Sequence, residues 1–117
     1  MNNSDHTINT FHDQAMHLAN LAMDALKKEN IIEAKKYFQG AFELEQKAAM
    51  ILVNDFDQEP SRSVLFRSAA YLALKAEKYR DAERMAAFGL SGNPPSEIAD
   101  ELRDVFTQSV ERLKMVA

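Results

Sequence analysis

The sequence predicts an all-α protein, and three observations carry that prediction. Apolar residues recur every three or four positions along most of the 117-residue chain and almost nowhere alternate as strands do. Only three glycines and three prolines interrupt the chain, so the helices should be long and the breaks few. A pattern of helix, tight turn and helix also occurs twice. At this length we expect one domain with about five helices.

The first helix is predicted from about Phe11 to Lys28, after a polar and flexible leader over residues 1–10. Apolar residues form one stripe along this helix, as expected when one face is buried. The stripe consists of Ala15, Leu18, Leu21, Ala22, Ala25 and Leu26. The letters KKEN, residues 27–30, then predict a short turn.

The second helix is predicted from about Ile31 to Val53, which is unusually long. Its last residues, from Ala48 to Val53, are apolar around the whole helix, which indicates burial on more than one side. Packing against the chain's own fifth helix would explain this. A homodimer or other protein interface is the alternative, with Met50, Leu52 and Val53 as the self-association residues.

The second hairpin is predicted over residues 60–91. Pro60 ends the preceding loop and suits the first turn of a third helix, which should reach about Ala76. A turn at Glu77 and Lys78 leads into a fourth helix, about 79–90.

A capping helix is predicted over residues 96–115. Gly92, Asn93 and two prolines stop the fourth helix, and Ser96 is placed to cap the fifth. The polar residues of the fifth helix should face water: Glu97, Asp100, Glu101, Arg103, Asp104 and Glu111.

The two hairpins are similar when the second is shifted by 48 residues onto the first. Small or similar side chains coincide at the positions where paired helices would touch. The coinciding pairs are Leu18 with Phe66, Ala22 with Ala70, Ala25 with Ala73, Leu26 with Leu74 and Ala34 with Ala82.

This pattern resembles the tetratricopeptide repeat, a helical hairpin of 34 residues. In that family, small residues let the two helices of a hairpin approach closely, and a proline ends the unit. Ala70, Ala82 and Pro94 match those positions in the second hairpin, while Ala22 and Ala34 match them in the first. The resemblance implies antiparallel hairpins stacked in a right-handed superhelix. The offset of 48 and Gln46 in place of a proline depart from the family.

The resemblance also implies that partners bind on the concave face, which is lined by the first helix of each hairpin. The partner-binding residues would then be Met16, Met23, Lys27, Arg67, Tyr71 and Lys75. Methionine adapts to varied partners, and tyrosine is a rigid anchor. The family's carboxylate clamp for chaperone tails is not expected, because Ala19 and Met23 stand where it needs lysine and asparagine.

No residue pattern in the sequence predicts catalysis, so we expect no enzyme, no cofactor and no metal site. There is no nucleophile elbow, phosphate loop or dinucleotide fingerprint. The residues from Asp55 begin like a calcium loop but have Pro60 and Phe66 where glycine and glutamate are required. His12 and His17 are five apart, which does not pair them on one helix face, so we expect solvated histidines.

Charge and composition indicate a cytoplasmic protein that binds neither nucleic acid nor a membrane. The net charge is −4, no cysteine is present, and no apolar run approaches the roughly 20 residues that a membrane helix requires. Four arginines could form a local basic patch, but ordinary ion pairing is the expected alternative. They are Arg62, Arg67, Arg80 and Arg84.

The sequence therefore predicts a non-enzymatic interaction or scaffold module that binds a protein or peptide. The alternative is a small structural or regulatory subunit that works as a homodimer and has no separate binding groove.

Overall fold

The computed structural model describes residues 3–116 and confirms the all-α prediction. Among these residues the backbone forms five helices and no strand. They are α1 (Asn3–Lys27), α2 (Ile31–Ile51), α3 (Ser61–Lys75), α4 (Tyr79–Leu90) and α5 (Ser96–Val116). None of these helices combines the length and the apolar character needed to cross a membrane.

The first helix starts earlier than predicted, so the boundary near Phe11 is wrong. Residues 3–10, expected to be a leader, form the first turns of α1, and residues 1–2 lie outside the described part. Ile8 is buried in the core and Thr10 donates a hydrogen bond to the carbonyl of His6. Ile8 extends the apolar stripe of α1 by two turns, and its burial favours a helix here over a free leader.

The two hairpin turns have the same geometry, 48 residues apart. Glu29 and Glu77 both adopt a left-handed backbone conformation, with φ of 61° and 60°. The next residues, Asn30 and Lys78, donate backbone hydrogen bonds of 2.8 Å to Ala25 and Ala73. This is the Schellman ending of a helix, here without the usual glycine. The internal repeat seen in the sequence is therefore present in the backbone.

Each helix packs on the next one along the chain, and α3 also packs on α5. Small side chains lie at the crossings, and all of those predicted as contact points are buried. These are Ala22, Ala25, Ala34, Ala70, Ala73 and Ala82. The predicted polar face of α5 is exposed along its whole length.

The carboxyl end of α2 packs on α1 and α3 rather than on α5, which corrects the first explanation of its apolar run. Ala48 and Ala49 are fully buried there, and Leu52 is only 7% exposed. Leu52 therefore packs in the core of the single chain and offers little surface for self-association. Val53 is half-buried, which leaves Met50 as the exposed member of the predicted set.

A buried arginine joins the carboxyl ends of α2 and α4. The guanidinium of Arg62 donates hydrogen bonds to the carbonyls of Val53 and Phe88 at 3.0 and 2.8 Å. It also lies between the rings of Phe56 and Phe66 and 3.7 Å from the carboxylate of Glu59. Helix carboxyl ends carry partial negative charge and unpaired carbonyls, so one buried cation satisfies both.

Candidate functional site

A groove runs between α1 and α3, which we call the α1–α3 groove. The two helices both pack on α2, and their backbones come close to each other at few points. Leu52, which follows α2, lines the groove at one end, and Ala34 and Phe38 of α2 line it at the other. The groove is therefore a consequence of packing two first helices on a shared second helix.

The amino-end cleft lies where α1 and α3 begin, and its volume is about 430 Å³. Four residues of α1 contribute to its wall, spaced as one face of a helix requires. The lining consists of Asp5, Ile8, Asn9, His12, Leu52, Gln58, Ser61, Val64 and Leu65. Apolar and hydrogen-bonding side chains thus face the same space.

The turn-end cleft lies near the two hairpin turns and is smaller, about 180 Å³. Leu26, Ile31 and Phe38 form its apolar part. The ammonium of Lys75 lies 6.0 Å from the centre of the Phe38 ring, so a cation borders the apolar surface.

An ion pair joins the two hairpins at this end of the molecule. The ammonium of Lys35 lies 2.7 Å from the Glu77 carboxylate, and both side chains are about half exposed. The hydrogen bond from Lys35, together with its positive charge, lowers the pKa of Glu77 from the ordinary value of 4.5.

The structure places the predicted α1 residues on the groove side of that helix. Met16, Met23 and Lys27 continue the face of His12 at helical spacing. Met16 is half-buried, while Met23 is 44% exposed. Lys27 is exposed near the turn and makes no ion pair with a described residue.

The predicted α3 residues have different surroundings, and not all of them face the groove. Tyr71 is 42% exposed, on the solvent-facing side of α3. Lys75 borders the turn-end cleft. Arg67 instead turns toward α5 and pairs with Glu101 at 3.0 Å. Met23, Tyr71 and Lys75 are therefore the predicted residues best placed to meet a partner.

The four arginines do not form a basic patch, because each pairs with an acid. Arg67 contacts Glu101, Arg80 contacts Glu83, Arg84 contacts Asp81, and Arg62 is buried beside Glu59. The prediction of ordinary surface ion pairing is confirmed for Arg67, Arg80 and Arg84 and is wrong for Arg62, whose side chain is fully buried.

His12 has a role that sequence reasoning missed. Its Nδ1 lies 3.0 and 2.9 Å from the two carboxylate oxygens of Glu45. Glu45 is fully buried, whereas the His12 side chain is 39% exposed. His12 is therefore not a freely solvated histidine. An acidic residue at an otherwise apolar position of α2, between Phe42 and Ala48, was the available signal.

No group of three or more potential metal ligands occurs among residues 3–116.

Comparison of the chain with protein-family models, with curated proteins and with solved structures finds no match.

Proposed function

We propose that this protein binds a segment of a partner protein in the α1–α3 groove. The observation that carries the proposal is the pair of clefts, of about 430 and 180 Å³, that lie between α1 and α3 at the two ends of the groove. A groove between helices can bind an amphipathic partner segment through the apolar face of that segment.

The side chains beside the groove support this proposal. Met23 and Tyr71 are two of the eight large apolar side chains that are exposed among residues 3–116, and they lie on the two helices that flank the groove. Methionine repacks easily and tyrosine loses little conformational entropy on binding, so both are suited to an interface. Lys27 and Lys75 at the turn end would favour a partner with a carboxylate at that end of the segment.

The proposal includes a tetratricopeptide-like arrangement of the hairpins. The identical turns 48 residues apart and the small residues at the helix crossings support it. In this arrangement α1 and α3 are equivalent helices, and a groove between equivalent helices is where such proteins bind partners.

Selection from a random peptide library displayed on phage, with the intact protein as target, would test the proposal. We expect peptides whose binding weakens at least tenfold, above about 1.4 kcal/mol, in Met23→Ala and in Tyr71→Ala. The controls are Met50→Ala and Phe56→Ala, which remove an exposed methionine and an exposed aromatic ring away from these positions; because the Phe56 ring also packs on Arg62, the stability of Phe56→Ala is measured before its binding is compared.

Equal affinity in all four variants would contradict binding in the groove, and so would a failure to enrich any peptide. All variants should first show wild-type circular dichroism, because a loss of fold would weaken binding without a direct contact.

A homodimeric structural subunit is the second candidate function. Ile31 and Ile32 favour it, because they are 61% and 77% exposed beside the first turn. If this pair forms the contact, light scattering should show a dimer for the intact protein and a monomer for the variant with Ile31→Lys and Ile32→Lys.

A further inference from the structure

We infer that Glu77 fills the place in the turn-end cleft where a partner carboxylate binds, and that the partner displaces Glu77 from Lys35. The inference rests on the proposed function, because the incoming carboxylate belongs to the segment that binds in the α1–α3 groove. It adds the chemical group recognised at the turn end and a contact within the chain that competes with that group.

The ion pair between Lys35 and Glu77 forms at the wall of the turn-end cleft. Both residues line this cleft, and the Lys35 ammonium lies 2.7 Å from a carboxylate oxygen of Glu77. An acidic residue of a partner would form the same charge-assisted contact with a lysine at the edge of the cleft. The chain's own Glu77 therefore already makes the contact that a ligand carboxylate needs.

This ion pair is of a kind that opens at little cost. The side chains of Lys35 and Glu77 are 49% and 50% exposed, and exposed ion pairs contribute little to stability. Glu77 lies in the turn between α3 and α4, so its side chain can leave Lys35 without breaking either helix. A ligand that also buries apolar surface in the cleft can therefore replace Glu77 on Lys35.

The rest of the turn-end cleft fits one apolar group. Leu26, Ile31 and Phe38 line it, and its volume of about 180 Å³ is near the roughly 150 Å³ of a cavity that holds benzene. Lys75 borders the same space, and no ion pair of Lys75 occurs among residues 3–116. The group recognised is therefore an aliphatic or aromatic body joined to a carboxylate.

The equivalent glutamate of the first hairpin does not make this contact. Glu29 has the same left-handed backbone conformation as Glu77, but it lines no part of the turn-end cleft. The Glu77 contact needs Lys35, which the preceding hairpin supplies. Position in the turn alone therefore does not explain the role of Glu77.

Nuclear magnetic resonance titration of the intact protein with three small probes tests the inference. The probes are 4-methylpentanoate, its neutral amide 4-methylpentanamide, and acetate. We expect 4-methylpentanoate to shift the methyl resonances of Leu26 and Ile31 and the ring resonances of Phe38, with a Kd on the order of 10 mM. The amide lacks the charge and acetate lacks the apolar body, so both should bind more weakly. Binding of the amide as tight as that of the acid would overturn the inference.

Replacing Glu77 tests the displacement itself. Glu77→Gln keeps the length of the side chain but removes the charge that holds Lys35, so 4-methylpentanoate should bind about threefold to fivefold more tightly than it does to wild type. Affinity for the amide should not change. Glu29→Gln is the matched control and should bind both probes as wild type does. No gain in Glu77→Gln would refute the displacement.

A double-mutant cycle distinguishes occupation of Lys35 from general charge repulsion. In a Lys35→Gln background Glu77 has no ammonium to occupy at this position, so most of the gain from Glu77→Gln should disappear. Lys36→Gln is the matched control, in which the gain should persist, because Lys36 is exposed and lines no part of the turn-end cleft. An equal gain in the wild-type and Lys35→Gln backgrounds would show that Glu77 only repels the ligand, and would overturn the inference.

The two proposals fail in different ways. Groove-selected peptides that bind Glu77→Gln no more tightly than wild type would refute the displacement alone. Binding of 4-methylpentanoate that responds to Glu77 as expected, combined with a failure to enrich any peptide, would refute the proposed function alone.

Discussion

Arg62 shows how single residues hold this fold together. A guanidinium without exposed surface is costly to bury unless its donors are satisfied. Here the nitrogens of Arg62 bond to Val53, Phe88 and Gly89 carbonyls, and Glu59 supplies the negative charge. Three segments that are distant in sequence therefore depend on one side chain.

Replacing Arg62 should be the most damaging single change away from the apolar core. Arg62→Met leaves the Val53 carbonyl without its donor and the Glu59 carboxylate without its counter-charge, so we expect the free energy of unfolding to fall by about 3–5 kcal/mol. Arg62→Lys keeps the charge but not the planar fork, and should cost less. Urea denaturation followed by circular dichroism measures both losses.

Arg84→Met is the control, since Arg84 makes an exposed ion pair with Asp81 at 3.6 Å. We expect a change within about 0.5 kcal/mol there. A loss at Arg62 no larger than the loss at Arg84 would show that the buried cluster does not stabilise the fold.

The sequence predicted surface arginines but did not reveal which of them is buried. All four candidates lie in helices, and Arg62, Arg80 and Arg84 each pair with an acidic residue three positions away, so local spacing is the same for an exposed pair and a buried one. Burial of Arg62 depends on α4 ending beside α2, which is a tertiary relationship. The same holds for His12, whose partner Glu45 is 33 residues away.

The hairpin turns are the elements that repeat most closely. Glu29 and Glu77 occupy left-handed positions that glycine adopts at little cost, while other residues are strained there. The amino-acid pattern predicted turns at these places because apolar spacing is interrupted there. It did not predict a Schellman ending, since the usual glycine signal is missing.

Glu29→Gly should therefore stabilise the protein, by about 0.5–1 kcal/mol in the free energy of unfolding. Glu29→Ala should give no gain, because alanine keeps the Cβ atom that is strained at φ of 61°. Thermal unfolding of the two variants side by side measures the difference. A gain for alanine equal to that for glycine would argue against left-handed strain at this turn.

Glu77 forms an ion pair with Lys35, and no ion pair of Glu29 occurs among residues 3–116. Lys35 lowers the pKa of Glu77 in the folded state. The ionised carboxylate therefore stabilises the fold at pH values above the ordinary pKa of 4.5. This stabilisation is lost as the pH falls through the lowered pKa of the folded state. We expect Glu77→Gln to be less stable than wild type at neutral pH and equally stable at acid pH, in urea titrations.

Glu29→Gln is the matched control for this pH dependence, since it changes the same residue type at the equivalent turn position. Its stability relative to wild type should change less with pH. If Glu77→Gln follows the wild type at every pH, Lys35 and Glu77 do not interact in solution.

At the scale of the whole molecule, the order of the helices was easier to predict than the surface they create. Apolar periodicity and the two proline-containing breaks placed α2 to α5 within about two residues of their ends. The start of α1 was missed because polar residues outnumber Ile8 in its first turns. The groove itself depends on the spacing between α1 and α3, which no local pattern encodes.

The proposed function is a property of this whole arrangement. The α1–α3 groove combines a polar cleft with His12 at one end and an apolar cleft bordered by Lys75 at the other. These unlike ends would bind a partner segment in one orientation. A partner segment bound in the groove should lie within reach of Tyr71, which is exposed on α3.

Site-specific photo-crosslinking at Tyr71 tests the central claim most directly. Benzoylphenylalanine would replace Tyr71 in one sample and Phe56 in another, because both are aromatic, with exposures of 42% and 46%. On irradiation in lysate of the producing cells, we predict a discrete adduct from position 71 that a groove-selected peptide competes away, and none from position 56. No adduct from position 71, or the same adducts from both positions, would contradict binding in the groove.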